Sequence, residues 1–223
     1  MKREVVITGD GSSTIHLPEW DEQYHSKHGA IQEAYHVFIK HGLQHVYDLG
    51  NTKKIAILEI GFGTGLNAFI SLLEADKLKL SIDYFGVEAY PVAKDEIEQL
   101  NYPKQLQASK DEEFFKKLHA VGWNESHEIS NYFSLTKQNR FFSEINDKAL
   151  YNLIYFDAFG ARVQPELWTE KIFQKMFDAL IDGGVLVTYA AKGSVRRAMQ
   201  AVGFQVEKLP GPPGKREMLR ATK

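Results

Sequence analysis

The stretch AILEIGFGTGLNAF, residues 56–69, decides the fold. Its first half is a continuous apolar run, which is typical of a central parallel strand buried on both faces. Its second half begins an apolar helix, and Gly61, Gly63 and Gly65 separate the two halves. Because glycine has no Cβ atom, such a loop can take positive φ angles and let a ligand approach its backbone closely. We therefore predict a strand, a ligand-binding loop and a helix.

Strands and helices alternate through most of the remaining chain. Strands are predicted at 4–8, 14–17, 54–60, 81–89, 130–137, 151–159, 183–190, 204–209 and 215–221, and helices at 30–43 (with Gly42 as a stop), 66–75, 92–100, 111–121, 166–180 and 195–202. This pattern predicts an α/β, Rossmann-like fold, with a mostly parallel, doubly wound sheet. The last two strands share only the short turn PGPPG, so they must pair antiparallel and place a reversed strand near one edge.

The length and composition limit the class of protein. With 223 residues, 43% hydrophobic and 25% charged, the chain is an ordinary globular one, and we expect a single domain. Within it, residues 1–50 would form an N-terminal hairpin and helical segment packed on a core of residues 51–223. The absence of cysteine excludes disulfides, thiolate metal sites and a catalytic thiol.

The same composition sets expectations about location and metals. No apolar run is long enough to cross a membrane, and the first residues, MKREVVITGD, are not typical of a signal peptide. We expect a cytoplasmic protein with no membrane partner. Histidines crowd the region 25–45 without a ligand-like spacing, so surface or capping roles are favoured over a metal site.

Charge is distributed unevenly along the chain. Eight Lys or Arg against two Glu give the segment 192–223 a net charge of +6, and the remainder of the chain carries −8. Such asymmetry suggests a face that tolerates a polyanion, although a solvated tail is the other interpretation.

The glycine spacing bears on the ligand. A dinucleotide fingerprint needs a third glycine where Leu66 stands, whereas the spacing here is E-x-G-x-G-x-G from Glu59. Glu88 lies at the end of the next predicted strand, where a carboxylate could accept hydrogen bonds from both ribose hydroxyls. Asp157 lies near the end of the fourth strand of the predicted parallel sheet and would face the same cleft, near the reacting end of the ligand. The alternative for Asp157 is a cap on the following segment.

Three stretches together resemble one family, the tRNA 5-aminomethyl-2-thiouridine methyltransferases, within the class I S-adenosylmethionine-dependent methyltransferases. They are GFGTGLN at 61–67, FDAFGARVQPELWT at 156–169, and GSVRRAMQAVGF with GPPGKREML within 193–219. The segment DEQYHSKHGAIQEAYHVF at 21–38 is similar to the N-terminal segment of that family. The resemblance covers nearly the whole chain, from about Asp21 to Arg220.

The resemblance implies methyl transfer from S-adenosylmethionine to the exocyclic amine of 5-aminomethyl-2-thiouridine at the tRNA wobble position. Asp157 would accept a hydrogen bond from the amine and aim its lone pair, and Phe159 would pack near the base or the methyl group. The implied cofactor contacts are Glu59, Gly61, Phe62, Gly63, Thr64, Gly65, Asn67, Glu88, Ala89 and Asp157.

The same resemblance implies a tRNA substrate held at its anticodon stem-loop. Tyr24 and Glu33 are candidate walls of the cleft. Phosphates would be held, without sequence readout, by Arg196, Arg197, Lys215 and Arg216. Whether a separate FAD-dependent oxidoreductase supplies the aminomethyl substrate is left open by the sequence.

The chain departs from the family pattern at three places. Gly160 and Ala161 stand where the family has alanine and proline, and Ala34 stands where it often has threonine. The adenine contact after the third strand is open between Asn139 and Arg140. The alternatives for function are methylation of another RNA base or a small amine, a nicotinamide-dependent oxidoreductase, and a non-catalytic RNA-binding module.

Overall fold

The computed structural model describes residues 2–50 and 53–223. The strands are β1 (Glu4–Ile7), β2 (Ser13–Leu17), β3 (Glu22–Gln23), β4 (Lys54–Ile60), β5 (Ser81–Val87), β6 (Ser126–Ser130), β7 (Phe133–Gln138), β8 (Tyr151–Phe156), β9 (Leu180–Thr188), β10 (Gln205–Pro210) and β11 (Glu217–Thr222). Eight of them form the central sheet, in the order β10-β11-β9-β8-β4-β5-β7-β6.

Helical segments connect most of these strands. The α-helices are α1 (Ala30–Ala34), α2 (His45–Asp48), α3 (Leu66–Leu78), α4 (Lys94–Ile97), α5 (Tyr102–Gln105), α6 (Glu112–Ala120), α7 (Glu170–Ala179) and α8 (Gly193–Ala201). A π-helix, Tyr35–Gln44, joins α1 to α2, and 3₁₀ turns lie at Ser109–Asp111, Phe142–Glu144 and Pro165–Trp168.

The sheet confirms the predicted α/β class. Strands β7, β5, β4, β8 and β9 are mutually parallel. Strand β11 runs antiparallel to both β9 and β10, which confirms the reversed strand near one edge. The other edge differs from the prediction of one strand at 130–137, because two strands, β6 and β7, form an antiparallel hairpin there.

Two helix predictions are wrong in their extent. Gly42 does not stop the first helix, because helical turns continue to Asp48. The glycine instead lets the helix approach the sheet, since a Cβ there would lie 3.1 Å from Val187 Cγ2 and 3.2 Å from Tyr155 Cε1. The helix predicted at 92–100 shrinks to Lys94–Ile97.

Strand order places the site. The strands that follow β4 in the chain lie on both sides of it, so the order of the chain switches between β4 and β8. Ligands bind at the carboxyl ends of strands at such a point. Gly61 N donates to Val87 O at 3.0 Å and Asp157 N donates to Ile60 O at 3.0 Å, so the ends of three strands are locked together there.

The N-terminal strands β1, β2 and β3 form a separate antiparallel sheet, which confirms the predicted hairpin. Asn101 joins this sheet to the core, because its Oδ1 accepts from Ser13 N at 2.8 Å. The division of the chain at residue 50 stays a prediction. In the described part of the chain, no helix has both the length and the apolar character that crossing a bilayer requires.

Candidate active site

The glycine loop has the backbone conformation that the sequence predicted. Gly61, Gly63 and Gly65 have φ angles of +92°, +48° and +71°, which side-chain-bearing residues rarely adopt. Space is also restricted, because a Cβ on Gly61 would lie 2.8 Å from Asp157 O and one on Gly63 would lie 3.0 Å from the Tyr24 ring. The loop thus presents bare backbone at the carboxyl end of β4.

Glu88 lies beside this loop, directly after β5. Its Oε2 accepts a hydrogen bond from Gly63 N at 3.1 Å, and its Oε1 accepts one from Tyr90 N at 2.9 Å. The carboxylate is therefore oriented by backbone donors on either side. Each oxygen still has a lone pair for a further donor, such as a ribose hydroxyl.

Asp157 is connected to the loop through a buried amide. Asn67 Nδ2 donates to Asp157 Oδ2 at 2.9 Å and to Glu59 Oε1 at 2.9 Å. Burial, followed by the Glu33 carboxylate, raises the pKa of Asp157 to about 7, although Asn67 and Lys215 oppose the rise. Burial also raises the pKa of Glu59 well above its usual value. Asp157 can therefore change its protonation state near neutral pH.

An aromatic wall closes one side of the cleft. Phe159 packs edge-on against Tyr24 and Trp20, with ring centroids 5.0 Å and 5.8 Å apart. Trp168 Nε1 donates to Phe159 O at 2.7 Å and holds the backbone of this segment. Burial raises the pKa of Tyr24 to about 12, so its hydroxyl is neutral at physiological pH.

Thr64 joins the loop to the N-terminal segment. The Tyr102 hydroxyl donates to Thr64 Oγ1 at 3.0 Å, and His25 Nε2 lies 3.4 Å from the same oxygen. Burial lowers the pKa of His25 to about 4, which keeps its ring neutral. The expected surface or capping role is therefore wrong for His25. Its ring contacts Thr64 of the glycine loop instead.

A single cavity of about 1430 Å³ includes these groups. Its lining contains the glycine loop, Glu59, Asn67, Glu88, Asp157 and Phe159. Two buried polar atoms at this site, Glu59 Oε2 and Asn67 Oδ1, have no hydrogen-bond partner. Bare loop backbone, a ribose acceptor and unpartnered polar atoms fit an adenosyl amino-acid cofactor, because such a ligand carries both hydroxyl and ammonium donors.

The remaining residues predicted to contact the cofactor differ in whether their side chains are free to do so. Ala89 lines the cavity. Phe62 also lines it, but its ring packs closely against Gly86. Of the two candidates for adenine, Asn139 Nδ2 donates to Glu88 O at 2.9 Å and Arg140 donates to Asp147 at 2.8 Å. The cavity lining after β7 consists instead of Phe141, Phe142 and Ser143.

The four basic residues expected to hold phosphates separate into two groups. Arg197 and Arg216 are exposed, and Arg196 is partly buried. Lys215 turns inward, where its ammonium pairs with the Glu33 carboxylate. Glu33 is also not a surface residue, since only 6% of it is exposed. Both residues act electrostatically on Asp157.

Sequence reasoning missed this inward arrangement and the Asn67 bridge. Lys215 and Glu33 are 182 residues apart, and no spacing rule relates them. Tyr189 was also missed, although its hydroxyl donates to Ala158 O at 2.8 Å beside Asp157. Among residues 2–50 and 53–223, no group of three or more His, Asp or Glu could hold a metal ion.

Comparison with known proteins agrees with this geometry. A family model described as S-adenosyl-L-methionine-dependent methyltransferase matches residues 124–223. The bifunctional protein MnmC of Actinobacillus pleuropneumoniae, named for tRNA 5-methylaminomethyl-2-thiouridine biosynthesis, is 29% identical over 96% of this chain and 34% of its own length. The MnmC of Hydrogenovibrio crunogenus is 26% identical over 89% of this chain and 31% of its own. The chain thus spans about a third of these relatives.

Solved structures show the same fold. MnmC2 from Aquifex aeolicus superposes with a TM-score of 0.80 and 26% identity, covering 99% of this chain and 70% of that one. Spermidine synthase from Thermotoga maritima, at 16% identity and a TM-score of 0.54 over 98% of this chain and 72% of its own, shares the fold alone.

The family model over residues 124–223 and the likeness to MnmC2 support a class I S-adenosylmethionine-dependent methyltransferase as the class of protein. The same matches support S-adenosylmethionine as the cofactor, and the glycine loop with Glu88 stays the predicted place for it. Nearly the whole chain is similar to about a third of the length of the MnmC protein and to the MnmC2 structure.

Proposed function

We propose that this chain methylates the exocyclic amine of 5-aminomethyl-2-thiouridine at the tRNA wobble position. The names of the MnmC relatives support this substrate, and one observation carries the reaction. Asp157, with a pKa of about 7, faces the cavity that also contains the glycine loop and Glu88. This arrangement supports Asp157 as the hydrogen-bond acceptor for the amine beside the methyl donor.

The residues of the chain would act in the following way. The cofactor supplies an electrophilic methyl group when bound. Ionised Asp157 accepts a hydrogen bond from the neutral amine and holds its lone pair toward the donor, with reacting atoms about 3–3.5 Å apart. The same carboxylate offsets the positive charge that develops on the nitrogen. Asn67 fixes Asp157, and Phe159 with Tyr24 excludes water from that side.

A tRNA surface beside the cavity supports the same proposal. Lys192 and Arg197 follow the carboxyl end of β9, and Arg216 precedes β11, whose Leu219 pairs with Thr188 of β9. These basic residues therefore lie at the same end of the sheet as Asp157, where the carboxyl ends of the parallel strands meet. Phosphates of an anticodon stem-loop would bind here, while one unstacked base enters the cleft.

The other partners and the location stay predictions. The MnmC relatives are named bifunctional, and the chain spans about a third of them, so a separate FAD-dependent oxidoreductase is untested. Cytoplasmic location is likewise an expectation from the sequence.

Mass spectrometry of nucleosides tests the proposed function. The protein is incubated with S-adenosylmethionine and tRNA that carries 5-aminomethyl-2-thiouridine, and the digested nucleosides are compared with a reaction without enzyme. We expect one added methyl on this nucleoside, and loss of nearly all turnover in Asp157→Asn with retained tRNA binding. Methylation of a free amine or of a different base would establish the alternative instead. Full activity of Asp157→Asn would refute the role of the carboxylate.

A further inference from the structure

A partly buried ion pair, Glu33 with Lys215, acts electrostatically on Asp157, and the proposed reaction does not use it directly. Glu33, on α1, accepts from the Lys215 ammonium through Oε1 and from Ser26 N through Oε2 at 2.8 Å. Both carboxylate oxygens are therefore bonded. A buried carboxylate with this arrangement is held in one orientation.

Lys215 connects this pair to the backbone beside Asp157. Its ammonium lies 3.8 Å from the centroid of the Tyr189 ring, a cation–π contact. The Tyr189 hydroxyl in turn donates to Ala158 O at 2.8 Å. Helix α1, the turn between β10 and β11, and the end of β8 are therefore joined through one cation.

The turn that carries Lys215 is itself closely packed. Gly214 has a φ of +84°, and a Cβ there would collide with the His28 ring of the N-terminal segment. A side chain other than hydrogen at Gly211 would lie 2.9 Å from Glu217 N. The close packing of this turn restricts its conformation and therefore the position of the Lys215 ammonium.

Asp157 interacts electrostatically with charged or titratable groups on several elements: Glu33 and Lys215 shift its pKa, and Asp157 in turn raises the pKa of Glu59, Tyr84 and Tyr189. Glu33 comes from α1, Lys215 from the last turn, Glu59 from β4, Tyr84 from β5 and Tyr189 from the end of β9. Glu33 raises the pKa of Asp157, whereas Lys215 lowers it. The two partners of one ion pair therefore oppose each other at the reacting carboxylate.

We propose that Lys215 and Glu33 are positioning residues, whose ion pair fixes the backbone beside Asp157 through Tyr189 and balances the electrostatic field at that carboxylate. The inference rests on the proposed function only for the consequence in turnover. Removing one partner leaves the other charge unopposed near Asp157. The two single variants therefore shift the pKa of Asp157 in opposite directions.

The titration of Asp157 tests this without substrate. Carbon NMR of protein labelled at the aspartate carboxyl carbons follows the titration, and Asp157→Asn identifies the signal. We expect Glu33→Gln to lower the midpoint and Lys215→Gln to raise it, each by about one pH unit. The double variant should return toward the parent value. Lys208→Gln removes an exposed ion pair with Glu217 on the same hairpin and should leave the midpoint unchanged. Shifts in one common direction, or no shifts, would overturn the proposal.

The pH profile of methyl transfer gives the second measurement. The midpoint of the acidic limb should move to lower pH in Glu33→Gln and to higher pH in Lys215→Gln. Lys215→Arg should have the parent midpoint, because arginine keeps the charge. If Lys215→Gln does not fold, Lys215→Arg and Glu33→Gln still predict an unchanged and a lowered midpoint. Opposite NMR shifts without methylation of tRNA would reject the proposed function and keep this inference. Methylation with unmoved midpoints would do the reverse.

Discussion

Gly63 shows at the scale of one residue how the loop serves the cofactor. Its φ is +48°, and a Cβ would lie 3.0 Å from the Tyr24 ring. Replacement by alanine therefore costs both backbone strain and the space in front of the loop. We expect Gly63→Ala to weaken binding of S-adenosylmethionine roughly tenfold or more, which calorimetry would measure.

Gly183 is the matched control for this change. It has a φ of +75° and nothing within 4 Å of its Cβ position, and it lies in β9 away from the cavity. Gly183→Ala should lose about 1 kcal/mol of stability from the backbone alone and bind the cofactor normally. Equal loss of binding in both variants would show that strain, not the close approach at Gly63, determines affinity.

The raised pKa of Asp157 affects how the stability of the protein depends on pH. Its pKa is raised from 3.8 to about 7 in the fold, so the folded state binds the proton more tightly than the unfolded chain. This group therefore lowers stability as the pH rises from about 4 to about 7, and the loss stays constant above that range. Asp157→Asn removes this term.

The stability gained by Asp157→Asn should therefore grow over the same range of pH. A rise of three units corresponds to at most about 4 kcal/mol, and because Asp157 borders the open cavity we expect on the order of 1–2 kcal/mol. Urea unfolding of both proteins at pH 4.5, 6 and 8 measures it. A gain that is the same at each pH would contradict the raised pKa.

At this scale the sequence predicts residues that follow parallel strands. Gly61, Glu88 and Asp157 each come directly after a strand, and the carboxyl ends of parallel strands meet at one edge. The inward turn of Lys215 could not be predicted in this way. It depends on α1 meeting the last hairpin, a contact between residues 182 positions apart.

At the scale of elements, the helical segment 30–48 shows why local signals misplace boundaries. Glycine commonly ends helices, and Gly42 was interpreted in that way. Here its backbone continues the helix, and its missing side chain serves packing against β8 and β9. The β6–β7 hairpin was not predicted for a related reason, because its first strand, SHEIS, is mostly polar and has only one buried residue at the sheet edge.

Gly42→Ala tests this interpretation of the helix. Alanine is favoured over glycine inside a helix by about 1 kcal/mol, but an added methyl in a packed core costs about 1–3 kcal/mol. Val187 and Tyr155, its neighbours, are fully buried and have little room to move. We expect a net loss of about 1 kcal/mol on thermal or urea unfolding.

Gly193, at the start of α8, provides the control. The nearest atom to its Cβ position is the end of the flexible Arg197 side chain, at 3.2 Å. Gly193→Ala should therefore be neutral or slightly stabilising. A stabilised Gly42→Ala would mean that the helix does not press on the sheet as described.

At the scale of the whole molecule, charge is arranged around one edge of the sheet. Part of the +6 of segment 192–223 is used internally, because Lys208, Lys215 and Arg220 pair with Glu217, Glu33 and Glu207. Exposed Lys192, Arg197 and Arg216 remain at the edge that carries the cavity. The charge count alone could indicate a polyanion face, but not which cations form it.

Arg197→Gln tests this face. Loss of one phosphate contact should weaken tRNA binding similarly for different sequences and reduce the slope of log affinity against log salt by about 1. Lys79 is the control, since it is an exposed lysine just before β5, at the amino ends of the parallel strands and thus at the opposite end of the sheet. Lys79→Gln should change neither quantity, and equal effects of both variants would remove the argument for a defined tRNA surface.

The central claim is that the glycine loop, Glu88 and Asp157 form one methyl-transfer site. A crystal structure of the protein with bound S-adenosylmethionine tests it most directly. We predict the ribose hydroxyls on the Glu88 carboxylate, the methionine portion along Gly61 to Gly65, and the methyl group facing Asp157. A cofactor bound elsewhere, or one whose methyl group points away from Asp157, would contradict the account.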